Sequence, residues 1–259
     1  MSFSLTWMPG VLEGAGLKLA FVPGWESRGR SEMGNVLGVM CHTTVGPRLG
    51  NMPSLHVLVN GRSDLPGPLA QLGLGRDGTY YVIAAGRCNH AGAGSWNGIT
   101  TGNSSFIGIE AENTGRGDDP WPEVQLDAYR RGVAALLKHT GRGADFCAGH
   151  KEYALPKGRK PDPAFDMGLF RQDVARWLSG EIAPPALIPA VESGPAGRPT
   201  LRRGAAGPHV EQVQKKLGAI VDGKFGPRTD AVVREFQRKR GLVPDGIVGP
   251  KTWQELDRI

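Results

Sequence analysis

The stretch Phe106-Ile107-Gly108-Ile109-Glu110-Ala111-Glu112 predicts a buried β-strand that ends in a turn at 113–115. Ile107 and Ile109 mark one face of this strand as core. Glu110 and Glu112 share the other face, and a carboxylate on so apolar a strand lowers stability unless it is paired or has a chemical role. The stretch therefore predicts a core strand with a functional group at its end. The strand pattern alone does not choose between the two glutamates.

Other strands and two long helices accompany this strand in the predicted fold. Strands are expected at 36–42, where His42 stands at the carboxyl end, at 55–59 and at 80–84. One helix is expected to begin near Pro122, where apolar residues recur at helical spacing. A second is expected from Asp166, as its cap, to Leu178, with an inner face of Leu169, Phe170, Val174 and Trp177. Strands mixed with helices indicate an α/β sheet domain, whose strand order the pattern does not reveal.

The chain divides by composition into three parts. Residues 1–180 form the predicted α/β domain, and residues 181–200 contain five prolines and predict a semi-rigid linker. Beyond the linker, Asp222-Gly-Lys-Phe-Gly-Pro-Arg-Thr229 returns as Asp245-Gly-Ile-Val-Gly-Pro-Lys-Thr252. Each copy predicts a tight turn followed by a helix that begins at proline. Residues 201–259 are therefore expected to form a small three-helix unit, with helices at about 209–217, 228–240 and 250–258.

Charge and cysteine content limit the classes of function. Residues 201–259 hold 12 basic and 7 acidic side chains, whereas the rest of the chain is nearly balanced. A basic module of this kind suits a polyanionic partner, which includes nucleic acid, anionic lipid and acidic cell-wall polymer. Three cysteines are too few for a disulfide framework. The amino terminus lacks the pattern of a signal peptide, so synthesis in the cytoplasm is expected.

The segment from His150 to Pro163 supplies a candidate metal site together with His42. Two imidazoles and the carboxylate of Asp162 would leave one corner of a tetrahedral zinc ion open for water, which is typical of a catalytic site. Pro161 and Pro163 disfavour helical backbone at the residue before each of them, so Lys160 and Asp162 are expected to face the same way in extended chain. Lys160 could then stabilise an oxyanion that forms beside the metal. A zinc metallohydrolase is the leading hypothesis from these residues.

These motifs resemble a known family. His42, the segment ending at Glu110, and His150 with Lys160 and Asp162 are similar to the zinc-dependent N-acetylmuramoyl-L-alanine amidases of type 2, which share their fold with peptidoglycan recognition proteins. The turn at 76–79 and the stretch at 89–92 fit the same pattern, so the resemblance covers about residues 30–178. The repeat in the tail resembles the type 1 peptidoglycan-binding domain. The resemblance implies a mixed central sheet flanked by helices, followed by a small helical domain.

The resemblance also implies roles for individual residues. His42, His150 and Asp162 would bind zinc, Glu110 would act as general base and acid, and Lys160 would stabilise the oxyanion. His90 is a candidate substrate contact at the rim of the cleft. Some relatives have a catalytic tyrosine before a histidine in the second strand, and the corresponding residue here is expected to be Leu55, before His56. The expected reaction is hydrolysis of the amide between N-acetylmuramic acid and L-alanine, with zinc and without an organic cofactor.

Three functions of different kinds remain open at this stage. The first is a lytic amidase, most like a phage endolysin, which reaches the wall through a holin-made hole. The second is a bacterial amidase of wall recycling or remodelling, and the third is a noncatalytic recognition protein with the same fold. For the first, the expected partner is peptidoglycan, bound through both domains by a monomer. No nucleic-acid or membrane partner is expected.

Overall fold

The computed structural model describes residues 2–181, 198–242 and 244–259. The chain forms two compact units, Met1–Pro184 and Pro185–Ile259, and each is described here by itself. Most of the predicted proline-rich linker at 181–200 lies outside the described residues. Within the described ranges, no helix is long and apolar enough to cross a membrane.

A six-stranded mixed sheet forms the centre of the first unit. The sheet strands are β1 Lys18–Phe21, β2 Gly38–Thr43, β5 Leu72–Leu74, β6 Thr79–Val82, β7 Phe106–Ala111 and β8 Cys147–Gly149, and a separate hairpin pairs β3 Gly61–Arg62 with β4 Leu65–Pro66. The order of the strands in the sheet is β1-β6-β5-β7-β2-β8, and all neighbouring strands are parallel except β5 and β6. The mixed α/β class predicted from the sequence is confirmed.

Helices cover both faces of this sheet. One face presents Val39, Cys41, Ile107 and Ile109 to the largest apolar cluster, which also contains buried residues of α1, α4 and α6. The opposite face carries smaller clusters around Met40 and around Leu58. His42 follows Met40 by two residues and so lies on this second face. The helices are α1 Met8–Gly14, α2 Leu55–Asn60, α3 Gly102–Ser105, α4 Glu123–His139, α5 His150–Tyr153 and α6 Met167–Ser179.

The two predicted long helices begin close to the expected residues. Pro122 is the residue before α4, as expected. Asp166 caps α6, because its carboxylate accepts hydrogen bonds from the backbone N–H groups of Gly168 and Leu169 at 2.7 and 3.0 Å. The predicted inner face of α6 is correct for Phe170 and Val174 but wrong for Leu169, which is 61% exposed because it lies in the first turn on the outer side.

The predicted strand at 55–59 is wrong, because these residues form helix α2. Leu55, Val57 and Val59 alternate like a strand, but Leu55, Leu58 and Val59 also have helical spacing, and the structure buries Leu58. The strand between β6 and β7 is instead β5, which follows the buried Gln71. Leu55 therefore does not lie in the strand in which some relatives have a catalytic tyrosine, contrary to the expectation from the sequence.

Tyr129 of α4 ties the helix to the neighbouring strands β2 and β7. Its hydroxyl accepts a hydrogen bond from the backbone N–H of His42 at 2.9 Å and lies 2.9 Å from the carbonyl oxygen of Ile109, to which it donates. We expect Tyr129→Phe to lower the free energy of unfolding by about 1–3 kcal/mol, because it leaves buried backbone groups without this partner. Chemical denaturation of the two proteins measures the difference, and equal stabilities would show that the hydroxyl is dispensable.

The described residues of the second unit form three helices, α7 Pro208–Lys216, α8 Pro227–Lys239 and α9 Pro250–Leu256. Each begins at a proline, which the repeat predicts for α8 and α9. Gln214 donates hydrogen bonds to Asp222 Oδ1 (2.7 Å) and Thr229 Oγ1 (3.0 Å) of the first motif copy. The second copy repeats this arrangement around Gln237, with Asp245 and Thr252 as its partners. The repeated Asp and Thr of each copy are thus bonded to a buried glutamine and fix the turn, although Asp222 itself is exposed.

Candidate functional site

Strand register brings the candidate catalytic residues together. His42 of β2 pairs with Glu110 of β7, so both side chains leave the sheet on the same face at the carboxyl ends of parallel strands. On the other side of β2, Cys41 pairs with Gly149, and His150 follows directly as the first residue of α5. Asp162 returns to the same place along a loop, where its carbonyl accepts a hydrogen bond from the backbone N–H of Lys151 at 2.6 Å.

His42, His150 and Asp162 form a compact buried cluster. The two Nδ1 atoms are 2.9 Å apart, and Asp162 Oδ2 lies 3.5 Å from Nδ1 of His42 and 3.3 Å from Nδ1 of His150. One ligand atom from each residue lies within 4.8 Å of the others, so the three could hold a metal ion. The structure thus brings together all three residues that the sequence proposed as zinc ligands, although it contains no ion that would test this role.

Hydrogen bonds on the far side of each ring decide where the protons lie. Nε2 of His150 is 3.1 Å from the carbonyl oxygen of Ala91, which can only accept, so Nε2 carries the proton and Nδ1 keeps its lone pair. Nε2 of His42 is 3.1 Å from Nδ1 of His90 and can donate to it. Two imidazole lone pairs and a carboxylate oxygen then converge with no proton among them. This donor set fits a divalent cation such as zinc.

Charge in the cluster favours the same protonation states. Burial, followed by the nearby His150, lowers the pKa of His42 to about 4, so its ring is neutral at pH 7. Burial acts to raise the pKa of Asp162, but the two neighbouring imidazole groups outweigh burial and hold that pKa well below the usual range, so the carboxylate is ionised. A neutral imidazole and an ionised carboxylate are the forms that bind metal.

Glu110 lies at the edge of the cluster. Its Oε1 atom is 3.9 Å from Nδ1 of His42, and its side chain is 16% exposed. Its Oε2 atom is buried and has no hydrogen-bond partner among the residues that the structure describes. Burial, and then the charge of Asp162, raise the pKa of Glu110 to about 8, whereas the Lys160 charge acts in the opposite direction. A carboxyl group with such a pKa can both take up and release a proton near neutral pH.

Glu112 has a different environment. Its carboxylate accepts hydrogen bonds from the hydroxyl of Thr44 (2.8 Å) and from the backbone N–H and hydroxyl of Ser54 (2.9 and 3.0 Å). These contacts hold together both ends of the loop between β2 and α2. The structure therefore separates the two glutamates that the strand pattern left equivalent: Glu112 is fully bonded within the protein, and Glu110 faces the cluster.

Lys160 and the hairpin of β3 and β4 lie within electrostatic range of the cluster. The Lys160 charge acts on the pKa of both His42 and Glu110, and the Arg62 charge acts on the pKa of Glu110. Lys160 is partly exposed. Arg62 belongs to the hairpin of β3 and β4, so this part of the chain borders the site.

His90 lies beneath the cluster and not at the rim of a cleft, where the sequence analysis expected it. Its side chain is buried, and its Nε2 atom is 3.2 Å from the carbonyl oxygen of Phe106. Burial, followed by the charges of His42 and His150, lowers the pKa of His90 well below its usual value. A contact with substrate stays a prediction, but both ring nitrogens already have partners inside the protein.

Two family models match this chain. The model described as N-acetylmuramoyl-L-alanine amidase matches residues 32–165, which is more than half of the chain and includes all the residues of the cluster. A model described as a peptidoglycan binding domain matches residues 206–256. No curated protein matches the chain significantly.

Several solved structures are similar to parts of the chain. The SleB N-terminal domain is 40% identical, with 23% of this chain and 89% of that one covered and a TM-score of 0.23. A fused Zn-dependent amidase/peptidase/peptidoglycan-binding protein from Clostridium acetobutylicum is 38% identical over 22% of this chain, with a TM-score of 0.22, and the match spans 28% of its length. The amidase AmiD from E. coli is 16% identical, with 89% of this chain and 90% of AmiD covered and a TM-score of 0.44.

Proposed function

Because this chain belongs to the N-acetylmuramoyl-L-alanine amidase family, we propose that it is a zinc-dependent enzyme that hydrolyses the amide between N-acetylmuramic acid and L-alanine in peptidoglycan. The observation that carries the zinc dependence is the convergence of Nδ1 of His42, Nδ1 of His150 and Oδ2 of Asp162 within 3.5 Å of one another. Such a set of acceptors is stable when a cation lies between them.

In this proposal His42, His150 and Asp162 hold the ion. Bound zinc would polarise the scissile carbonyl group and lower the pKa of a water molecule to about 7. Glu110 takes the proton from the attacking water and gives it to the leaving amine. Its raised pKa suits this exchange, and a bound cation would lower that pKa toward neutrality. The Lys160 ammonium group stabilises the negative charge that develops on the carbonyl oxygen.

Digestion of purified sacculi tests the reaction. The proposed activity releases peptides with free L-alanine amino termini and leaves glycan strands with free lactyl carboxyl groups, and mass spectrometry identifies both. New reducing sugar ends without free L-alanine would indicate a glycosidase. Binding of sacculi without any product would favour the noncatalytic recognition protein.

We further propose that the cellular role is lysis of the host wall, as in a phage endolysin, with the second unit as a wall anchor. The match of a peptidoglycan binding domain to residues 206–256 and the excess of basic residues there support an anchor. An enzyme of wall recycling acts on soluble fragments and gains nothing from an anchor. A holin gene beside the coding sequence would favour lysis over recycling.

Deleting residues 185–259 tests the anchor. We expect the truncated protein to cleave soluble muropeptide at the parent rate, since the site lies wholly in the first unit. Its binding to sacculi should weaken by at least about 10-fold, because a second linked binding site raises overall avidity. Co-sedimentation measures the binding, and the soluble substrate serves as the control. Unchanged sedimentation would mean that the second unit does not anchor the enzyme.

A further inference from the structure

We propose that the segment His90-Ala91 is the positioning element of the metal site, and that it fixes the proton location on both metal-binding histidines. The proposal rests on the proposed function, because it concerns the same zinc site. His90 contacts His42 through its ring, and Ala91 contacts His150 through its carbonyl group, so two adjacent residues act on ligands that are 108 positions apart.

If His90 is neutral, donors and acceptors can be assigned in only one way along the hydrogen bonds that run from His42 through His90 to Phe106. The carbonyl oxygen of Phe106 can only accept, so Nε2 of His90 carries the proton that it donates across 3.2 Å. Nδ1 of His90 is then an acceptor, and it receives the Nε2 proton of His42 across 3.1 Å. His42 is left with its Nδ1 lone pair directed at His150 and Asp162. If the His90 ring had the opposite tautomer, His42 would have to place a proton on Nδ1, where the metal binds.

Two further contacts hold this segment in place. The side-chain oxygen of Asn103 accepts hydrogen bonds from the backbone N–H groups of both His90 and Ala91, each at 2.8 Å. Gly108 of β7 leaves the space in which the His90 ring lies, since a Cβ atom at this position would be 2.8 Å from Cγ of His90. Glycine at position 108, between Ile107 and Ile109, thus allows the His90 ring to pack against β7 beside the site.

His90→Phe tests the proposal, because phenylalanine keeps a ring but has no acceptor for the His42 proton. We expect its zinc affinity, measured by competition with a chelator, to fall about 10- to 100-fold, which is the usual effect of removing a partner of a metal-binding histidine. His90→Gln offers an acceptor oxygen and should recover most of this loss. A purely structural effect would lower the zinc affinity of both variants alike. The thermal unfolding midpoints of the metal-free parent and variant proteins measure such an effect.

Nitrogen-15 NMR of the histidines in the unaltered, zinc-loaded protein supplies a test that needs no variant. The proposal requires the proton of His90 on Nε2 and the metal on Nδ1 of both His42 and His150. A proton on Nδ1 of His90 would overturn it. A folded His90→Phe protein that binds zinc as tightly as the parent would also overturn the proposal. If its KM rises while its zinc affinity is unchanged, His90 belongs to substrate binding. If the unaltered protein binds no zinc, the proposed function fails first, and the two failures are thereby distinguished.

Discussion

Replacing Glu110 by glutamine should lower kcat on peptidoglycan by at least about 100-fold, because a positioned general acid–base contributes 10²- to 10⁴-fold. Glutamine has nearly the same shape but neither accepts nor releases a proton at neutral pH. Glu110 is 3.9 Å from His42 and is not one of the three residues of the metal cluster, so we expect zinc content to be retained. The measurement is the rate of product release under saturating zinc, together with the metal content of the same sample.

Two matched variants make this result specific. Glu123→Gln changes a carboxylate that is 79% exposed at the start of α4 and should leave the rate unchanged. Glu112→Gln removes an acceptor from Thr44 and Ser54, so it should lower stability while the folded protein keeps its activity. An active Glu110→Gln protein beside an inactive but folded Glu112→Gln protein would reverse the assignment of the two glutamates.

Replacing Asp162 by alanine should weaken zinc binding by more than about 100-fold, since changes to the partners of metal ligands alone already cause losses of 10- to 100-fold. The variant removes the only charged oxygen within 3.5 Å of the two Nδ1 atoms among the described residues. It also leaves Nδ1 of His42 and Nδ1 of His150 without the carboxylate oxygen that lies beside both of them. Metal analysis after dialysis measures the loss, and full zinc content in this variant would mean that the third ligand is another residue.

The sequence predicted the parts of the fold that have a strong periodic pattern or a cap. Strands β2 and β7 are continuous apolar runs, and α4 and α6 begin after a proline and an aspartate cap, respectively. The sequence analysis did not predict α1, β1 or β5. Strand β5 consists of only Leu-Gly-Leu, which is too short to show alternation, and α1 contains Pro9 and Gly10, which are usually signals of a turn.

The candidate site followed from spacing and residue type, but its supporting contacts did not. His42, His150 and Asp162 could be grouped because each stands at a strand end or on a loop that returns to one. The choice of Glu110 over Glu112 came from the family resemblance. The roles of Tyr129, Glu112 and His90 depend on which residue lies opposite them in space. Gly108 interrupts the apolar run of β7 visibly in the sequence. Its role, which is to leave space for the His90 ring, can be recognised only once β7 and the segment at 89–92 are known to be in contact.

The second unit shows how a motif can be recognised before its physical reason is known. The repeated Asp and Thr predicted a peptidoglycan-binding domain, and the structure joins them to Gln214 and Gln237 inside the unit. The repeat therefore specifies the fold of the turns. In the proposed anchor, the basic side chains in excess on this unit are the candidates for contact with the wall.

Zinc content, combined with activity after metal removal, tests the account most directly. The proposal predicts one zinc ion per chain in the purified, active protein, loss of activity after treatment with a chelator, and recovery of activity when zinc is restored. A pure protein that cleaves sacculi at full rate without any bound metal, and that is unaffected by chelators, would contradict it.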